Sequence, residues 1–240
     1  MTTTESTEND RPATLLSLTT NILISPNEAY ADLKKRPSKL FPLLLILLLN
    51  VLVLTWYFNM VDFAWYVDDA LSLADLEEEQ LEVARESMNS MSRNAFLGFG
   101  ILGSVVAILG LNTIQSGYLT LVSALRGEPI KFGHWFSLQC WSGMPILLSV
   151  VGMLVTIALS PNGQLSAYDL DPFTFRNLGF VSENQSLQSL LASVSLTMLW
   201  STGLVIGGHR HWLSASWFRS IATVTAPYLL FLGIWSIFAF

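Results

Sequence analysis

Five long apolar stretches separated by polar segments dominate the pattern of this sequence. An α-helix rises about 1.5 Å per residue, so about 20 residues cross a hydrocarbon core of about 30 Å. We predict membrane-spanning helices over residues 40–61, 94–125, 140–159, 187–206 and 220–240. The sequence therefore predicts an all-α, polytopic membrane bundle with five transmembrane helices.

The second stretch is the longest, and no charged residue lies between Arg93 and Arg126. Three glycines recur in it at seven-residue spacing, within about 40° of one another on the helix surface. They are Gly103, Gly110 and Gly117. Small residues on one face let a neighbouring helix approach closely. We predict that this glycine seam packs against another helix and that the second span is the structural axis of the bundle.

Amide side chains occur at three positions within the predicted spans, Asn50, Asn112 and Gln115. An amide in lipid needs a hydrogen-bonding partner. Asn112 and Gln115 lie on a different face from the glycine seam, more than about 100° away. These residues are candidates for helix–helix hydrogen bonds, which we favour, or for an intramembrane polar path.

The polar segments predict the remaining organisation of the chain. We predict a disordered polar tail over residues 1–14, and amphipathic and basic juxtamembrane helices over residues 15–39. Residues 40–240 then form the membrane domain. Between the first two spans, apolar positions recur at helical spacing over residues 73–91, within an acidic segment. We predict an acidic amphipathic helix there, on the outer face of the bundle.

Composition agrees with a membrane location, because the chain of 240 residues is 52% hydrophobic and only 12% charged. Soluble domains carry about 25% charged residues. Nine of the twelve Lys and Arg residues lie in the N-terminal region and in the second-to-third and fourth-to-fifth connections. The positive-inside rule places the N-terminus in the cytoplasm, and five spans then place the C-terminus outside.

Seven basic residues form a predicted face on the cytoplasmic side, Lys34, Lys35, Arg36, Lys39, Arg126, Lys131 and Arg210. Juxtamembrane cations are attracted to anionic lipid headgroups. We expect membrane lipids as partners of this basic face, together with a protein partner or a second copy of the chain, and no nucleic acid.

The motifs of common enzymes are absent from the sequence. It contains no Gly-x-Ser-x-Gly elbow, His-Glu-x-x-His pair, phosphate loop or dinucleotide-binding glycine motif. Charged residues and histidines are also absent from the predicted core of every span, which weighs against proton-coupled transport. Cys140 is the single cysteine, so an intrachain disulfide and a cysteine-cluster metal site are excluded. We expect no catalytic residues, cofactor or metal.

All three histidines fall in predicted cytoplasmic connections, at positions 134, 209 and 211. Imidazoles at one level can bind a metal, but residues two apart point in different directions on a helix. We interpret the histidines as interfacial polar residues that lie among tryptophans of an interfacial belt. Those tryptophans are Trp135, Trp141, Trp212 and Trp217.

Several short motifs carry a family resemblance. The run from Ile24 to Tyr30, followed by Lys35-Arg36-Pro37, resembles the Ser-Pro-x-x-Ala-aromatic entry of bacterial Yip-domain proteins. Residues 127–132 with Phe136 and Pro145 resemble that family's second-to-third connection, and residues 200–227 are similar to its fourth-to-fifth region. The resemblance covers about residues 15–240.

This resemblance implies a five-helix membrane domain with a cytoplasmic N-terminus, in a bacterial cytoplasmic membrane. The eukaryotic members interact with Ypt/Rab GTPases and carry an Asp-Leu-Tyr-Gly-Pro motif in their N-terminal region. This sequence lacks that motif, so the resemblance does not lead us to expect GTPase binding.

The residues leave two functional hypotheses. In the first, the chain is a non-enzymatic membrane scaffold or adaptor that acts through its basic face and its packing seams. In the second, it is a permease for neutral solutes or a lipid-moving protein, with a polar path through Asn50, Asn112 and Gln115.

Overall fold

The computed structural model describes residues 14–73, 76–160 and 162–239. Within these ranges the chain forms α-helices, one 3₁₀ turn and no β-strand, although Thr174 and Ser195 form an isolated antiparallel bridge. The all-α prediction is therefore confirmed. The predicted tail over residues 1–14 lies outside the described residues, apart from Thr14, and so does the last residue of the predicted fifth span.

The helices of the described residues are numbered here in chain order. They are α1 (Leu15–Ile24), α2 (Pro26–Lys35), α3 (Leu40–Met60), α4 (Phe63–Ser72), α5 (Glu78–Ser90), α6 (Arg93–Leu125), α7 (Phe132–Ser142), α8 (Ile146–Leu159), α9 (Gln185–Ser193), α10 (Leu196–Leu213) and α11 (Trp217–Ala239).

Four helical units in this part of the chain are long and apolar enough to cross a membrane. They are Leu40–Met60, Arg93–Leu125, Phe132–Leu159 and Trp217–Ile234. The multi-pass membrane architecture follows from them. The count of five spans and the orientation of the bundle stay predictions.

Helices α1 and α2 form a hairpin that packs against α7 and α10. Thr14 caps α1 by accepting a hydrogen bond from the backbone N–H of Ser17, and Pro26 occupies the first turn of α2. The hairpin buries Ile22, Tyr30 and Leu33 among other apolar residues, each 2% exposed or less. The predicted juxtamembrane helices are thus part of the hydrophobic core.

The predicted third span begins at residue 140 and leaves residues 132–139 outside it. The structure differs, because α7 is packed inside the bundle, with Trp135 and Leu138 fully buried. A turn at residues 143–145 joins α7 to α8. Pro145 explains the break, since its ring has no N–H to donate and clashes with the preceding helical turn.

The predicted fourth span over residues 187–206 is also interrupted, between α9 and α10 at Val194 and Ser195. Backbone groups beside the break bond to a loop instead of continuing the helix. The Phe175 N–H donates to the carbonyl of Val194 at 2.9 Å, and the Leu196 N–H donates to the carbonyl of Phe173 at 3.0 Å. Hydropathy could not predict this break, because the competing partners lie about twenty residues away in the sequence.

The loop over residues 171–175 inserts between α8 and α10. A Cβ built at Gly152 of α8 would lie 2.6 Å from Cγ of Pro172, so only glycine admits the loop. Nearby, the hydroxyls of Ser149 and Thr197 form a buried hydrogen bond of 2.7 Å. Ser149 precedes the end of α8 by ten residues, about 15 Å along the helix. Helix α10 therefore begins well inside the bundle, with the loop and α9 beyond it.

The acidic amphipathic helix predicted over residues 73–91 is observed as α5, Glu78–Ser90, and a further helix, α4, precedes it. Glu77 caps α5 through a capping box with Gln80. We call the end of the bundle formed by residues 61–73, 76–93, 160 and 162–195 the acidic end. The opposite end, formed by residues 14–39, 126–131 and 209–219, is the basic end.

Candidate functional site

The predicted intramembrane amides are used mainly in helix packing. Oδ1 of Asn50 on α3 accepts a hydrogen bond of 2.7 Å from the hydroxyl of Ser104 on α6. Nε2 of Gln115 on α6 donates to the carbonyl of Val224 on α11 at 3.0 Å. Asn112 is half-buried, and its side chain makes no hydrogen bond to the described residues. Asn50 and Gln115 therefore lie at two separate contacts between helices.

The glycine seam has no neighbour in the described part of the chain. A Cβ built at Gly103, Gly110 or Gly117 would meet no described atom within 4 Å. Helix α6 instead buries a different face nearer its C-terminal end, which includes Leu119 and Ser123. The expected packing of the seam against another helix of the bundle is therefore not observed, because α6 turns its polar face inwards.

The residues of the predicted basic face meet neutral groups. Nζ of Lys34 donates to the carbonyl of Trp212 at 2.7 Å, and Nη2 of Arg126 donates to the Thr223 hydroxyl at 3.0 Å. Two others lie over aromatic rings at the distances of cation–π contacts. Lys39 is 5.9 Å from the Phe136 ring centroid, and Arg210 is 4.7 Å from that of Trp217. The other three, Lys35, Arg36 and Lys131, are exposed.

Ion pairs in the described ranges occur only at the acidic end. Arg85 pairs with Asp68 at 2.6 Å, and Arg176 pairs with Asp169 at 3.4 Å. No cation of the basic face lies within ion-pair distance of a described carboxylate. The positive charge of the basic end is therefore not neutralised by pairing within these ranges.

Helix α2 is fixed to α10 by three long-range contacts. Besides the bond from Lys34, the Tyr30 hydroxyl donates to the carbonyl of Leu204 at 2.7 Å, and Trp212 Nε1 donates to the carbonyl of Tyr30 at 2.8 Å. Gly207 makes this approach possible, since a Cβ there would lie 2.7 Å from the Tyr30 hydroxyl oxygen. The basic residues at the end of α2 are therefore held in a fixed position relative to the bundle.

A polar network lies beside this contact, where α6, α7, α10 and α11 meet. Its centre is His209, which is 1% exposed. Nδ1 of His209 lies 3.0 Å from the Ser220 hydroxyl, and its ring stacks on Trp135 with centroids 5.8 Å apart. Trp135 Nε1 in turn donates to the hydroxyl of Ser123. Arg126 follows Ser123 in the chain at the C-terminal end of α6, and Thr223 follows Ser220 by one helical turn on α11.

His209, interpreted from the sequence as an interfacial polar residue, is buried inside the bundle. Burial lowers the pKa of His209 to about 4, and the positive charge of Arg126 contributes in the same direction. The imidazole is therefore neutral near pH 7. Trp135, Trp141 and Trp212 are likewise buried core residues, each 2% exposed or less, whereas Trp217 is 55% exposed.

Buried polar atoms without a partner in the described chain also cluster on α7 and α10. They are Nδ1 of His134, Nε2 of Gln139, Oγ of Ser142 and Nε2 of His209. Of these four atoms, Nε2 of His209 belongs to the polar network, through the contacts of His209 with Ser220 and Trp135. Since buried polar groups are normally satisfied by protein, water or a ligand, this nitrogen is the atom of the network that can accept a further partner.

The arrangement is suited to binding anions. Arginine donors, hydroxyls and a neutral imidazole nitrogen are the groups that hold phosphate and carboxylate. Among the described residues, no group of three or more His, Cys, Asp or Glu side chains is placed to hold a metal ion.

Sequence reasoning identified Arg126 but missed Thr223, the residue that orients it. It also missed the contact between His209 and Ser220, because α10 and α11, which carry these residues, lie far from Arg126 in the sequence. One signal was available in the Gly207-Gly208 pair before His209. Paired glycines late in an apolar helix indicate close contacts at that position.

Comparison with known proteins gives one match. A family model described as Yip1 domain matches residues 20–238, which is nearly the whole chain. No curated protein and no solved structure matches the chain significantly.

Proposed function

The chain belongs to the Yip1 domain family, and from that premise we propose that it is a non-enzymatic scaffold or adaptor of the bacterial cytoplasmic membrane. In this proposal its basic end faces the cytoplasm and binds anionic lipid headgroups or a protein partner.

One observation carries this proposal, namely the cations of the basic end that no described carboxylate neutralises. Each Lys or Arg near an anionic membrane surface contributes about 1 kcal/mol of attraction. Contacts with carbonyls, hydroxyls and aromatic rings orient four of these side chains without removing their charge. The fixed position of α2 supports a rigid binding surface, as expected for a scaffold.

The permease alternative has a weaker basis. Asn50 and Gln115 are occupied in contacts between helices, and only Asn112 remains for a polar path. A pocket lined by Tyr57 and Ile157, among other residues, has a cavity volume of about 10 Å³. That volume accommodates about one water molecule. Solute movement in reconstituted vesicles that Asn112→Leu abolishes would favour this alternative over the scaffold.

The test of the proposed function compares charge removal at the two ends. The variant Lys35→Gln/Lys131→Gln removes two exposed cations of the basic face, and Arg85→Gln/Arg176→Gln removes two from the acidic end. After extraction in mild detergent, the first variant should retain severalfold less phosphatidylglycerol per protein than the wild type, since each surface cation contributes about 1 kcal/mol. The second variant should retain the wild-type amount.

Equal lipid retention by both variants, together with a strictly monomeric and partnerless preparation, would contradict the proposal. If the protein is a scaffold or adaptor, crosslinking in native membranes should recover a stoichiometric partner or a homo-oligomer. Sidedness is checked separately by fusing alkaline phosphatase after Phe240, where an active enzyme is expected for five spans. An inactive but stable fusion would instead place both ends of the chain on one side.

A further inference from the structure

We infer that Arg126, Thr223, Ser220 and His209 form a binding site for the phosphate of a phospholipid headgroup. The inference rests on the proposed binding of anionic lipids by the basic end. It assigns that binding to one site instead of the whole charged surface. Arg126 directly follows α6, His209 belongs to α10, and Ser220 and Thr223 belong to α11.

The guanidinium of Arg126 is the primary ligand of the site. Its bond to the Thr223 hydroxyl uses one nitrogen, Nη2, and fixes the side chain against α11. Guanidinium presents five N–H donors in a planar fork that matches two oxygens of a phosphate. Arg126 is exposed, and Glu128, the acidic residue nearest to it in the sequence, forms no ion pair with it. Donors of Arg126 therefore remain for an external anion.

The hydroxyls and the imidazole supply the inner part of the site. Ser220 and Thr223 are three residues apart, so they share one face of α11. Ser220 holds Nδ1 of His209 at 3.0 Å, which leaves Nε2 as the buried nitrogen without a partner. Since His209 is only 1% exposed, a headgroup oxygen reaches Nε2 through a bridging water. This contact satisfies an atom that has no partner among the described residues.

The surroundings favour a lipid over a soluble phosphate. Trp217 and Phe218 begin α11 just ahead of Ser220 and are 55% and 83% exposed. Aromatic side chains of this kind sit at the headgroup level of a bilayer. The Arg210 guanidinium lies 4.7 Å from the Trp217 ring centroid, so a second cation lies at the same level. The site therefore lies where lipid phosphates are concentrated.

The experiment measures lipid binding to the full chain in detergent by native mass spectrometry. The titrants are phosphatidylglycerol and, as a neutral reference, phosphatidylcholine. Arg126→Gln should lower the affinity for phosphatidylglycerol about thirtyfold, because it removes a charge together with its hydrogen bonds. Arg219→Gln is the matched control, since it removes one exposed cation of the same end. Its loss should be about fivefold, the contribution of one surface charge.

Thr223→Val is the second variant, because it keeps every charge and the shape of the side chain. It should weaken phosphatidylglycerol binding several-fold without changing the dependence of binding on salt. A surface that attracts lipid by charge alone predicts no change in this variant. Thermal unfolding identifies variants that fail to fold. If Arg126→Gln fails to fold, lipid binding by Thr223→Val decides whether the site exists.

The outcomes separate this inference from the proposed function. Equal losses for Arg126→Gln and Arg219→Gln, with no effect of Thr223→Val, would overturn the site while leaving lipid binding by the basic end intact. A wild-type chain without preference for phosphatidylglycerol would overturn both. Displacement of phosphatidylglycerol by millimolar sodium phosphate would show a soluble phosphate as the ligand and overturn the lipid assignment.

Discussion

The two ends of this bundle use their charges in opposite ways. At the acidic end, Arg85 and Arg176 are paired with aspartates. At the basic end, Lys34 and Arg126 bond to a carbonyl and a hydroxyl. The field of a paired charge is largely cancelled by its partner, whereas a cation held by neutral groups keeps its attraction for an external anion. The difference points to the basic end as the interacting surface.

The ends also differ in what holds them together. At the acidic end, backbone bonds join the inserted loop to residues 194–196, in addition to side-chain bonds such as that of Ser166 to Asp69. At the basic end, side chains join residues more than 170 positions apart, as in the pair Tyr30 and Leu204. A single substitution can remove a side-chain contact but not a backbone hydrogen bond. The basic end should therefore be more sensitive to mutation, and the predictions below test this from the largest expected effect downwards.

Replacement of Trp212 tests the packing of the basic end most severely. Trp212 is 2% exposed, and its Nε1 donates to the carbonyl of Tyr30. Trp212→Ala should cost about 3–5 kcal/mol of stability, since it opens a cavity and leaves that carbonyl without its donor. Thermal unfolding in detergent measures the loss.

The control is Trp200→Ala on the same helix, where the side chain is 42% exposed. Its unfolding temperature should fall much less. Similar decreases in unfolding temperature for the two variants would mean that Trp212 does not stabilise the contact between α2 and α10.

Alanine at two glycines gives the next effect and tests the acidic end. Gly152→Ala places a Cβ 2.6 Å from Cγ of Pro172, so the loop must move, at a cost of about 1–3 kcal/mol. Gly110→Ala meets no described atom within 4 Å and should be neutral, or stabilising by up to about 1 kcal/mol through helix propensity. Thermal unfolding of the two variants provides the comparison. A clear destabilisation by Gly110→Ala would show that the glycine seam packs against another molecule.

The smallest predicted effect is a pH dependence from His209. Its pKa is about 4 in the folded chain, below the usual 6.5, so the unfolded chain binds a proton that the folded chain does not. Stability should therefore fall as pH decreases from about 6.5 towards 4, by about 1 kcal/mol at pH 5.5.

His209→Gln should remove this part of the pH dependence of the unfolding temperature. His211 provides the comparison, since burial, Lys34 and Arg210 lower its pKa too, and it remains in the variant. Unchanged pH dependence in His209→Gln would mean that the imidazole is not buried in a neutral form.

Much of the architecture could be predicted from local pattern. The second span, predicted over residues 94–125, is observed as Arg93–Leu125, because a long apolar run without charge has no alternative to a helix in lipid. The basic face was identified from charge counting alone. The fourth span was harder, because a continuous apolar run does not reveal that residues 173–175 bond to residues 194–196.

The glycine seam and the histidines show why the rest could not be predicted. Seven-residue spacing identifies a face of α6 but not whether a helix lies against it, and the described structure leaves that face empty. His209 was interpreted as an interfacial residue because it falls in a predicted cytoplasmic connection among tryptophans, and the structure shows that neighbours from α7 and α11 bury it. In both cases the decisive partner comes from another part of the chain.

The sequence by itself determined the all-α membrane class, the location of the long apolar helices, the segregation of charge and the family. These properties depend on local composition, since lipid requires each helix to satisfy its own backbone. Only the tertiary structure decided which cations lack a carboxylate among the described residues, where α10 begins, and that Arg126 contacts Thr223 while His209 contacts Ser220. Such contacts depend on the packing of distant helices, which no local pattern specifies.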